Sequence, residues 1–292
     1  MSAEPGPERT AAHALEEDNQ RLRDRLRALG ETPDESPGFA VELLGVPRAF
    51  QRDAGGNLLE VDCGLRRARR ALAFLLLSPG RRTTGDALVA MLWPEADGAR
   101  ARRNLHPTLY ALRRCLGEAL PGVAAMRMQA GIYLLEPRLA WEVDVERFRR
   151  EIDAGDQALR RGDRPGAAAN WATALALYRG PFLSGDDDPW VEEQRESLRR
   201  KRLALLRAMG ELHEQEGDLE RALDAYRLSL ADEALQEDLH LALLRIYARQ
   251  GRRDLVRRHF DRFSRTLSEE LGVEPTLQAT LEYHRLMGVS EG

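Results

Sequence analysis

Positions near the N-terminus repeat at alternating intervals of three and four residues. They are Ala12, Leu15, Asn19, Leu22, Leu26 and Leu29. This spacing predicts a short coiled coil over residues 1–30, with leucines at the d positions. An asparagine at an a position, as here, favours a parallel, in-register pair of helices. We therefore expect a homodimer joined through Leu15, Asn19, Leu22, Leu26 and Leu29, although a single amphipathic helix lying on its own protein would give the same pattern.

The next residues change from a helical to an alternating pattern. Residues 31–38 contain two prolines and a glycine, which cannot continue a helix, so a linker is expected there. Phe39, Val41 and Leu43 then alternate with other residues, and a turn-like segment precedes a possible return strand from Leu58 to Val61. This pattern predicts a small antiparallel sheet.

Three helices and a hairpin are predicted next. The first runs from about Leu65 to Leu77, and the second begins after Thr84 as N-cap and stops at Pro94. The third lies within residues 99–116. The segments AMRMQ and IYLLE flank an Ala-Gly turn and form a plausible hairpin that ends at Pro137. Three helices followed by a hairpin predict a winged helix over residues 39–137.

The third helix has two chemically different faces. Its apolar stripe consists of Leu105, Leu109, Leu112 and Leu116. At 100° per residue, the opposite face holds Arg100, Arg103, Pro107, Tyr110 and Arg114, with His106 and Arg113 beside it. Pro107 either removes one internal hydrogen bond or lies in the first turn of a later-starting helix capped by Asn104. In both cases the outward surface is basic and able to donate hydrogen bonds.

The rear half repeats a pattern with a 34-residue period. Gly217 and Gly251 are each followed, five and nine residues later, by a small or branched residue and an aromatic one, and Gly162 starts a similar unit. The glycine suits a turn between antiparallel helices, and the period is that of the tetratricopeptide repeat. The segment 178–193 is expected to be an insertion or irregular connection between the first two units.

Composition and charge indicate how many domains the chain has and which class of ligand it suits. The chain has 292 residues, enough for two domains, and a net charge of −4. Between Arg66 and Leu116, however, eleven arginines face three acidic residues, a local balance of +8. A basic segment in an acidic protein suits the binding of phosphates. No export signal or membrane span is expected. The two cysteines, Cys63 and Cys115, are expected to be free thiols.

Several sequence fragments, taken in their order along the chain, resemble those of a known family of bacterial transcriptional activators. RRARRALAFLLLSPGRRTTGDALVAMLWP, ARRNLHPTLYALRRCLG and AGIYLL look like an OmpR-type winged helix. VDVERFRREI, YRGPFL, DPWVEEQRESLRR and SEELGVEP look like the bacterial transcriptional activator domain (BTAD). Together, over residues 39–288, they resemble the antibiotic-regulatory-protein (SARP) type of transcriptional regulator. The resemblance implies binding to repeated promoter sites in double-stranded DNA and contact with RNA polymerase. Pro107 departs from the family's usual recognition helix.

The expected fold is mostly α with a small β component. It comprises the coiled-coil helix, a winged helix-turn-helix domain and an all-α tetratricopeptide-like repeat domain over residues 138–288. The residues expected to contact DNA are Arg100, Arg103, Asn104, His106, Tyr110, Arg113, Arg114, Arg81, Arg82 and Arg127. We expect a cytoplasmic regulator, nucleoid-associated when bound, most simply an activator.

Other chemistry is disfavoured by the sequence. The six histidines show no i, i+4 pair and no HExxH, so neither a metal site nor catalysis is expected, and no cofactor is implied. The acidic run Asp186–Asp188 is expected to be a solvated turn or helix start rather than a cation site. Two other functions stay open: an adaptor that uses the repeats to bind a peptide while the winged helix serves as a docking surface, and an effector-gated repressor. The arginine-rich face disfavours the adaptor.

Overall fold

The computed structural model describes residues 38–53, 56–96, 98–120 and 122–288. The predicted coiled coil over residues 1–30, with Leu15, Asn19, Leu22, Leu26 and Leu29, lies outside the described residues. The chain divides into two compact units. Of the described residues, the first unit contains those up to Ala154 together with Ala172–Leu198, and the second contains Gly155–Trp171 and those from Arg199 onward. The limits 39–137 and 138–288, drawn from sequence, stay a prediction.

The strands are short and lie between residues 38 and 143. They are β1 (Gly38–Glu42), β2 (Arg48–Arg52), β3 (Leu58–Glu60), β4 (Arg82–Thr84), β5 (Glu118–Leu120), β6 (Val123–Ala124), β7 (Met126–Gln129), β8 (Ile132–Leu135) and β9 (Ala140–Val143). Within the described ranges these strands form three sheets, in the orders β3-β2-β1-β9, β4-β8-β7 and β5-β6. The predicted β-rich entry and the hairpin are confirmed. Strand β9, which pairs in parallel with β1, was not predicted.

The helices account for most of the described chain. They are α1 (Arg66–Leu77), α2 (Gly85–Leu92), α3 (Gly98–Leu116), α4 (Asp144–Arg160), α5 (Arg164–Leu177), α6 (Pro189–Glu216), α7 (Leu219–Asp232), α8 (Glu237–Arg249), α9 (Arg253–Leu271) and α10 (Leu277–Met287). The predicted cap of the second helix is confirmed, because the Thr84 hydroxyl accepts a hydrogen bond from the Ala87 amide at 3.2 Å. The all-α character of the rear half is confirmed as well.

The first unit has a winged-helix arrangement. Helices α1 and α2 pack on α3, and β4 pairs with β8, the second strand of the hairpin. The leucines of the α3 stripe are buried, as predicted, and form the centre of this core together with Leu72 and Leu88. Burial of these side chains on one face is what holds the opposite face of α3 toward solvent.

Residues 179–190 belong to the first unit, although they follow the winged helix in sequence. They make backbone contacts with the residues just after β1. Leu44 forms an isolated antiparallel bridge with Phe182, and the Leu183 amide donates to the Leu43 carbonyl at 2.8 Å. Asp144 accepts hydrogen bonds from the Leu43 and Leu44 amides at 2.8 and 2.9 Å. The predicted irregular connection is therefore a structural part of this unit.

The second unit shows why the glycine-centred pattern repeats. Gly217 and Gly251, at the two helix turns, have φ angles of 79° and 73°, a region that favours glycine. Ala222 and Val256 are fully buried. The aromatic residue of a repeat also requires a small residue on the preceding helix, which the sequence pattern had not revealed. Tyr226 packs against Gly210, sixteen residues earlier, where a side chain would collide with the ring.

The prediction of two free thiols is wrong. Cys63 and Cys115 are joined as a disulfide, with their Cα atoms 5.1 Å apart across 52 residues of sequence. Cys63 precedes α1 and Cys115 lies in the last turn of α3. The fold brings these elements together because α1 packs on α3, a contact that sequence spacing alone does not reveal.

Candidate nucleic-acid interface

The outward face of α3 carries the candidate interface. Arg100, Arg103, Asn104, His106 and Arg114 are all exposed, and Tyr110 is 67% exposed. On the opposite face, Leu105 is 5% exposed and Leu112 is fully buried. Since the leucines fix the rotation of the helix, the polar side chains have one available direction, away from the core.

Three of the arginines on this face are free of protein partners within the described ranges. There, Arg100, Arg103 and Arg114 form no ion pair or hydrogen bond through their side chains. Arg82, exposed on β4, has no such partner among the described residues either. Unpaired guanidinium groups keep their full capacity to bind phosphate or the edge of guanine.

Two residues at the edge of the face are held by the wing. The guanidinium of Arg113 lies over the Tyr133 ring of β8, 6.0 Å from its centre. Arg127, on β7, forms an ion pair with Glu136 at 2.9 Å, and the Glu136 side chain is buried. Arg127 is still half exposed, so this pair orients its guanidinium without covering it. The contact of Arg113 with Tyr133 thus connects this face of α3 to the hairpin, whereas the Arg127–Glu136 pair lies within the hairpin region itself.

Arg81 is engaged elsewhere. Its Nη2 atom donates to Glu146 at 2.7 Å and to the Trp141 carbonyl at 3.1 Å. A phosphate contact would have to displace both bonds, so the geometry favours a structural role that joins the start of β4 to β9 and α4. We therefore do not assign Arg81 to the DNA interface.

Pro107 lies inside α3 rather than at its start. The helix is continuous from Gly98 to Leu116, so the first of the two alternatives holds and Pro107 supplies no amide to the Arg103 carbonyl. The next carbonyl, that of Asn104, accepts a hydrogen bond from the Thr108 hydroxyl at 3.0 Å. Because α3 begins at Gly98, Arg100 and Arg103 both lie within the helix, which a later start at Asn104 would have prevented.

The wing is a tight hairpin. Gln129 and Ile132 pair across the turn, and its two central residues, Ala130 and Gly131, have φ angles of 49° and 78°. Paired positive φ values are typical of the two-residue turn that suits the twist of a hairpin. Met128, which the sequence analysis did not single out, is 54% exposed on this hairpin.

The acidic run before α6 is partly buried, so the expectation of a solvated turn is wrong for two of its three residues. Asp186 and Asp188 are buried and both bind Arg70 of α1, whereas Asp187 is exposed and lies 3.7 Å from Arg66. Asp188 also accepts a hydrogen bond from the Trp190 amide at 3.1 Å, as a helix-start residue does. Arg66 and Arg70 therefore both have carboxylate partners within the first unit.

The described residues contain neither a metal-binding cluster nor a membrane-spanning helix. The described part of the chain holds no group of three or more His, Cys, Asp or Glu side chains arranged to bind a metal ion. Within the same ranges, none of the helices combines the length and apolar character that a bilayer crossing requires.

Comparisons with known proteins place the chain among transcriptional regulators by similarity. Residues 143–286 match the family described as the bacterial transcriptional activator domain. The chain is 29% identical to the regulatory protein AfsR of Streptomyces coelicolor over 242 residues, 83% of this chain but 23% of AfsR. It is also 29% identical to the transcriptional regulatory protein MoaR1 of Mycobacterium tuberculosis, over 78% of this chain and 74% of MoaR1. These relatives are regulators rather than enzymes, in agreement with the sequence analysis.

A solved structure shares the fold. It is that of Mycobacterium tuberculosis EmbR in complex with a low-affinity phosphopeptide, with a TM-score of 0.69 and 24% sequence identity. The match covers 86% of this chain and 65% of that chain. The chain thus spans about a quarter of AfsR and about two thirds of the EmbR structure.

Proposed function

Since residues 143–286 are a bacterial transcriptional activator domain and the chain is similar to the SARP-type transcriptional regulators, we propose that it binds promoter DNA through α3. In this proposal α3 enters the major groove, where Arg103, His106 and Tyr110 face base edges, with Arg100 and Asn104 nearby. An arginine can donate to both O6 and N7 of guanine, which makes Arg103 the principal candidate for sequence recognition.

One observation carries the proposal. The most exposed face of α3 concentrates unpaired guanidinium groups, while the opposite face is an unbroken buried leucine stripe. Solvated arginines on a structural surface commonly pair with nearby carboxylates, as Arg102 does with Asp86 at 2.9 Å on this same helix. Arg100, Arg103 and Arg114 have no such partner in the described ranges, which supports an external anionic one.

The remaining basic residues would position the helix on the duplex. Arg113 and Arg114 in the last turn of α3 and Arg82 on β4 would contact phosphates, while Arg127 on the wing would reach a neighbouring backbone or minor groove. Contacts to phosphates add affinity that depends on salt, but they do not distinguish sequences. This assigns recognition to the middle of α3 and positioning to its end and to the wing.

Assembly and partners are also proposals. A coiled coil would pair two chains through Leu15, Asn19, Leu22, Leu26 and Leu29. The dimer would present two DNA-binding domains to repeated sites, which raises affinity through effective concentration. Contact with RNA polymerase would make the protein an activator, acting in the cytoplasm and at the nucleoid. Sedimentation of the full chain and of a Leu22→Ala/Leu26→Ala variant tests the pairing: a dimer should become a monomer.

The test of DNA binding is a titration of the full chain with fluorescent promoter fragments over a series of salt concentrations. Arg103→Ala should weaken binding to the preferred site by about 1–3 kcal/mol with little change on unrelated DNA. Arg114→Ala should weaken binding to both and reduce the salt dependence by about one phosphate. Arg221→Ala, which removes an equal charge from an exposed position in the second unit, is the matched control.

The outcome can contradict the proposal in two ways. If Arg103→Ala and Arg221→Ala bind every fragment as the parent does, α3 is not the reading element. If the parent protein binds neither DNA nor a heparin column, the proposal of a DNA-binding regulator fails, and the adaptor function becomes the better explanation of the fold.

A further inference from the structure

We propose that Cys63 and Cys115 are a reversible thiol–disulfide couple whose oxidation fixes the C-terminal end of α3 for DNA binding. The inference rests on the proposed function, because the bond acts on the helix assigned to DNA recognition. It makes the chain a regulator that responds to the thiol–disulfide state of its surroundings.

The position of the bond supports this role. Cys115 lies in the last turn of α3, directly after Arg113 and Arg114, and Cys63 lies in the connection between β3 and α1. The bond therefore fixes the end of the helix to a segment more than fifty residues earlier in the chain. Beyond Cys115, α3 ends within two residues, at Leu116, so no further turn of helix anchors Arg113 and Arg114.

The two cysteines differ in their exposure to solvent. Cys115 is only partly buried. Cys63 is buried but lines a cavity of about 330 Å³, whose wall also includes Val61, Arg69 and Leu72. The cavity wall carries two cations, Arg48 and Arg69, and two carboxylates, Glu60 and Asp62, so its charge does not select between neutral and anionic disulfides of low molecular weight.

The chemistry needs one external reagent, a small disulfide RSSR. The more exposed Cys115, as thiolate, attacks one sulfur of RSSR to give a mixed disulfide and releases RS⁻. The Cys63 thiolate then attacks the Cys115 sulfur, the protein disulfide forms, and a second RS⁻ leaves. The two protons lost by the cysteines are taken up by the two thiolates released, so one RSSR becomes two RSH. Reduction is the same sequence in reverse.

A regulatory role fits the setting that the proposed function implies. A protein that acts on bacterial DNA works where thiol buffers keep most cysteines reduced, and disulfides that form there are mainly transient ones with a redox role. The described chain has no other cysteine with which either thiol could exchange. The couple therefore has one oxidised and one reduced state, which suits a two-state switch.

The first experiment follows the thiols and the helix end without DNA. Full-length protein is equilibrated in glutathione buffers from oxidising to reducing and alkylated, and its mass is measured. We expect zero alkylated thiols to change to two in a single transition. Hydrogen exchange should then show the amides of residues 113–116 exchanging faster in the reduced protein, while those of α9 in the second unit do not change.

The second experiment measures DNA affinity at both ends of the same buffer series. The oxidised protein should bind its preferred fragment about five-fold or more tightly than the reduced protein. Cys63→Ala and Cys115→Ala should each bind like the reduced protein in every buffer. Circular dichroism of both variants checks that the helical content is retained, and the reduced parent provides the same comparison without any substitution.

Several results would overturn the inference. Thiols that stay reduced in oxidised glutathione, or a disulfide that glutathione never opens, would exclude a reversible couple. Equal exchange at residues 113–116 in both states would exclude an effect on the helix end. Equal or weaker DNA binding by the oxidised protein would contradict the direction of the switch. If neither state binds DNA, the proposed function fails as well, and hydrogen exchange alone decides whether the couple controls α3.

Discussion

Arg70 of α1 donates hydrogen bonds to both carboxylate oxygens of Asp186, at 2.5 and 3.1 Å, across 116 residues of sequence. A second carboxylate, that of Asp188, binds another nitrogen of the same guanidinium. All three side chains are buried. The connection before α6 is therefore attached to the winged helix by a charged cluster that is largely shielded from water.

Removing the cation of this cluster should strongly destabilise the first unit. In Arg70→Ala, two buried carboxylates lose their counter-charge, which costs about 3–5 kcal/mol when one partner of a buried pair is removed. Urea unfolding followed by tryptophan fluorescence measures the loss. The control, Arg66→Ala, removes an exposed cation from the same helix and should change stability by about 0.5 kcal/mol or less. Equal effects of the two substitutions would contradict a special role for Arg70.

Alanine at Gly210 should destabilise the second unit, although alanine favours a helix more than glycine does. A Cβ at this position would collide with the ring of Tyr226, and overpacking of a core costs about 1–3 kcal/mol. In a Tyr226→Ala background the collision is absent, and the same change should stabilise the helix by about 1 kcal/mol. Thermal unfolding of the four proteins measures the coupling, and additive effects would show that the ring and the glycine do not interact.

The second unit should lose stability in mild acid. His240 and His259 share a hydrogen bond of 2.9 Å between Nδ1 and Nε2, and burial, with lesser contributions from His240 and Arg262, lowers the pKa of His259 to about 4. The unfolded chain takes up this proton near pH 6.5, so the stabilisation is complete above that pH and is lost as the pH falls toward 4. We expect a decline of about 1.4 kcal/mol per pH unit in this window.

Two variants show whether the histidine pair causes the acid sensitivity. His259→Gln should flatten the dependence of unfolding free energy on pH between 6.5 and 4. His106→Gln, which changes an exposed histidine of α3, should leave the slope as it is in the parent. A parent protein that is equally stable at pH 7 and pH 5 would rule out the neutral pair as a stabilising element.

Replacement of Pro107 should stabilise α3. Proline in a helix interior removes a hydrogen bond and costs about 3 kcal/mol relative to alanine, and here the Arg103 carbonyl loses its donor. Because Pro107 is exposed, Pro107→Ala removes little packing, and we expect a gain of about 1–3 kcal/mol in unfolding free energy. Lower stability of the variant would mean that the fold has adapted around the proline.

Features encoded by neighbouring residues could be predicted from the sequence. The Thr84 cap, the Ala130-Gly131 turn and the leucine stripe of α3 each depend on residues within one or two turns of chain, and the structure has all three. The same is true of the basic face, since helical periodicity fixes which side chains lie opposite a buried stripe.

Features that depend on distant partners were missed. The segment AWEV of β9 is only four residues long, and it forms a strand by pairing with β1, about a hundred residues earlier. The sequence alone predicts that Asp186 and Asp188 are solvent-exposed, because no neighbouring residue indicates their ion pairs with Arg70. The engagement of Arg81 by Glu146 has the same cause. Local periodicity determines which face of a helix is polar, but only the tertiary fold determines which charges are already neutralised.

The parallel pairing of β1 with β9 has a consequence during synthesis. Strand β1 can pair with β2 early, but its second neighbour, β9, is made only after the winged helix. Residues 186–188 must follow before Arg70 is neutralised. A nascent chain that stops short of this point exposes the edge of β1 and an unpaired buried cation. Ribosome-bound chains of increasing length should therefore acquire protease resistance in the first unit late, only once the residues up to Leu198 have emerged.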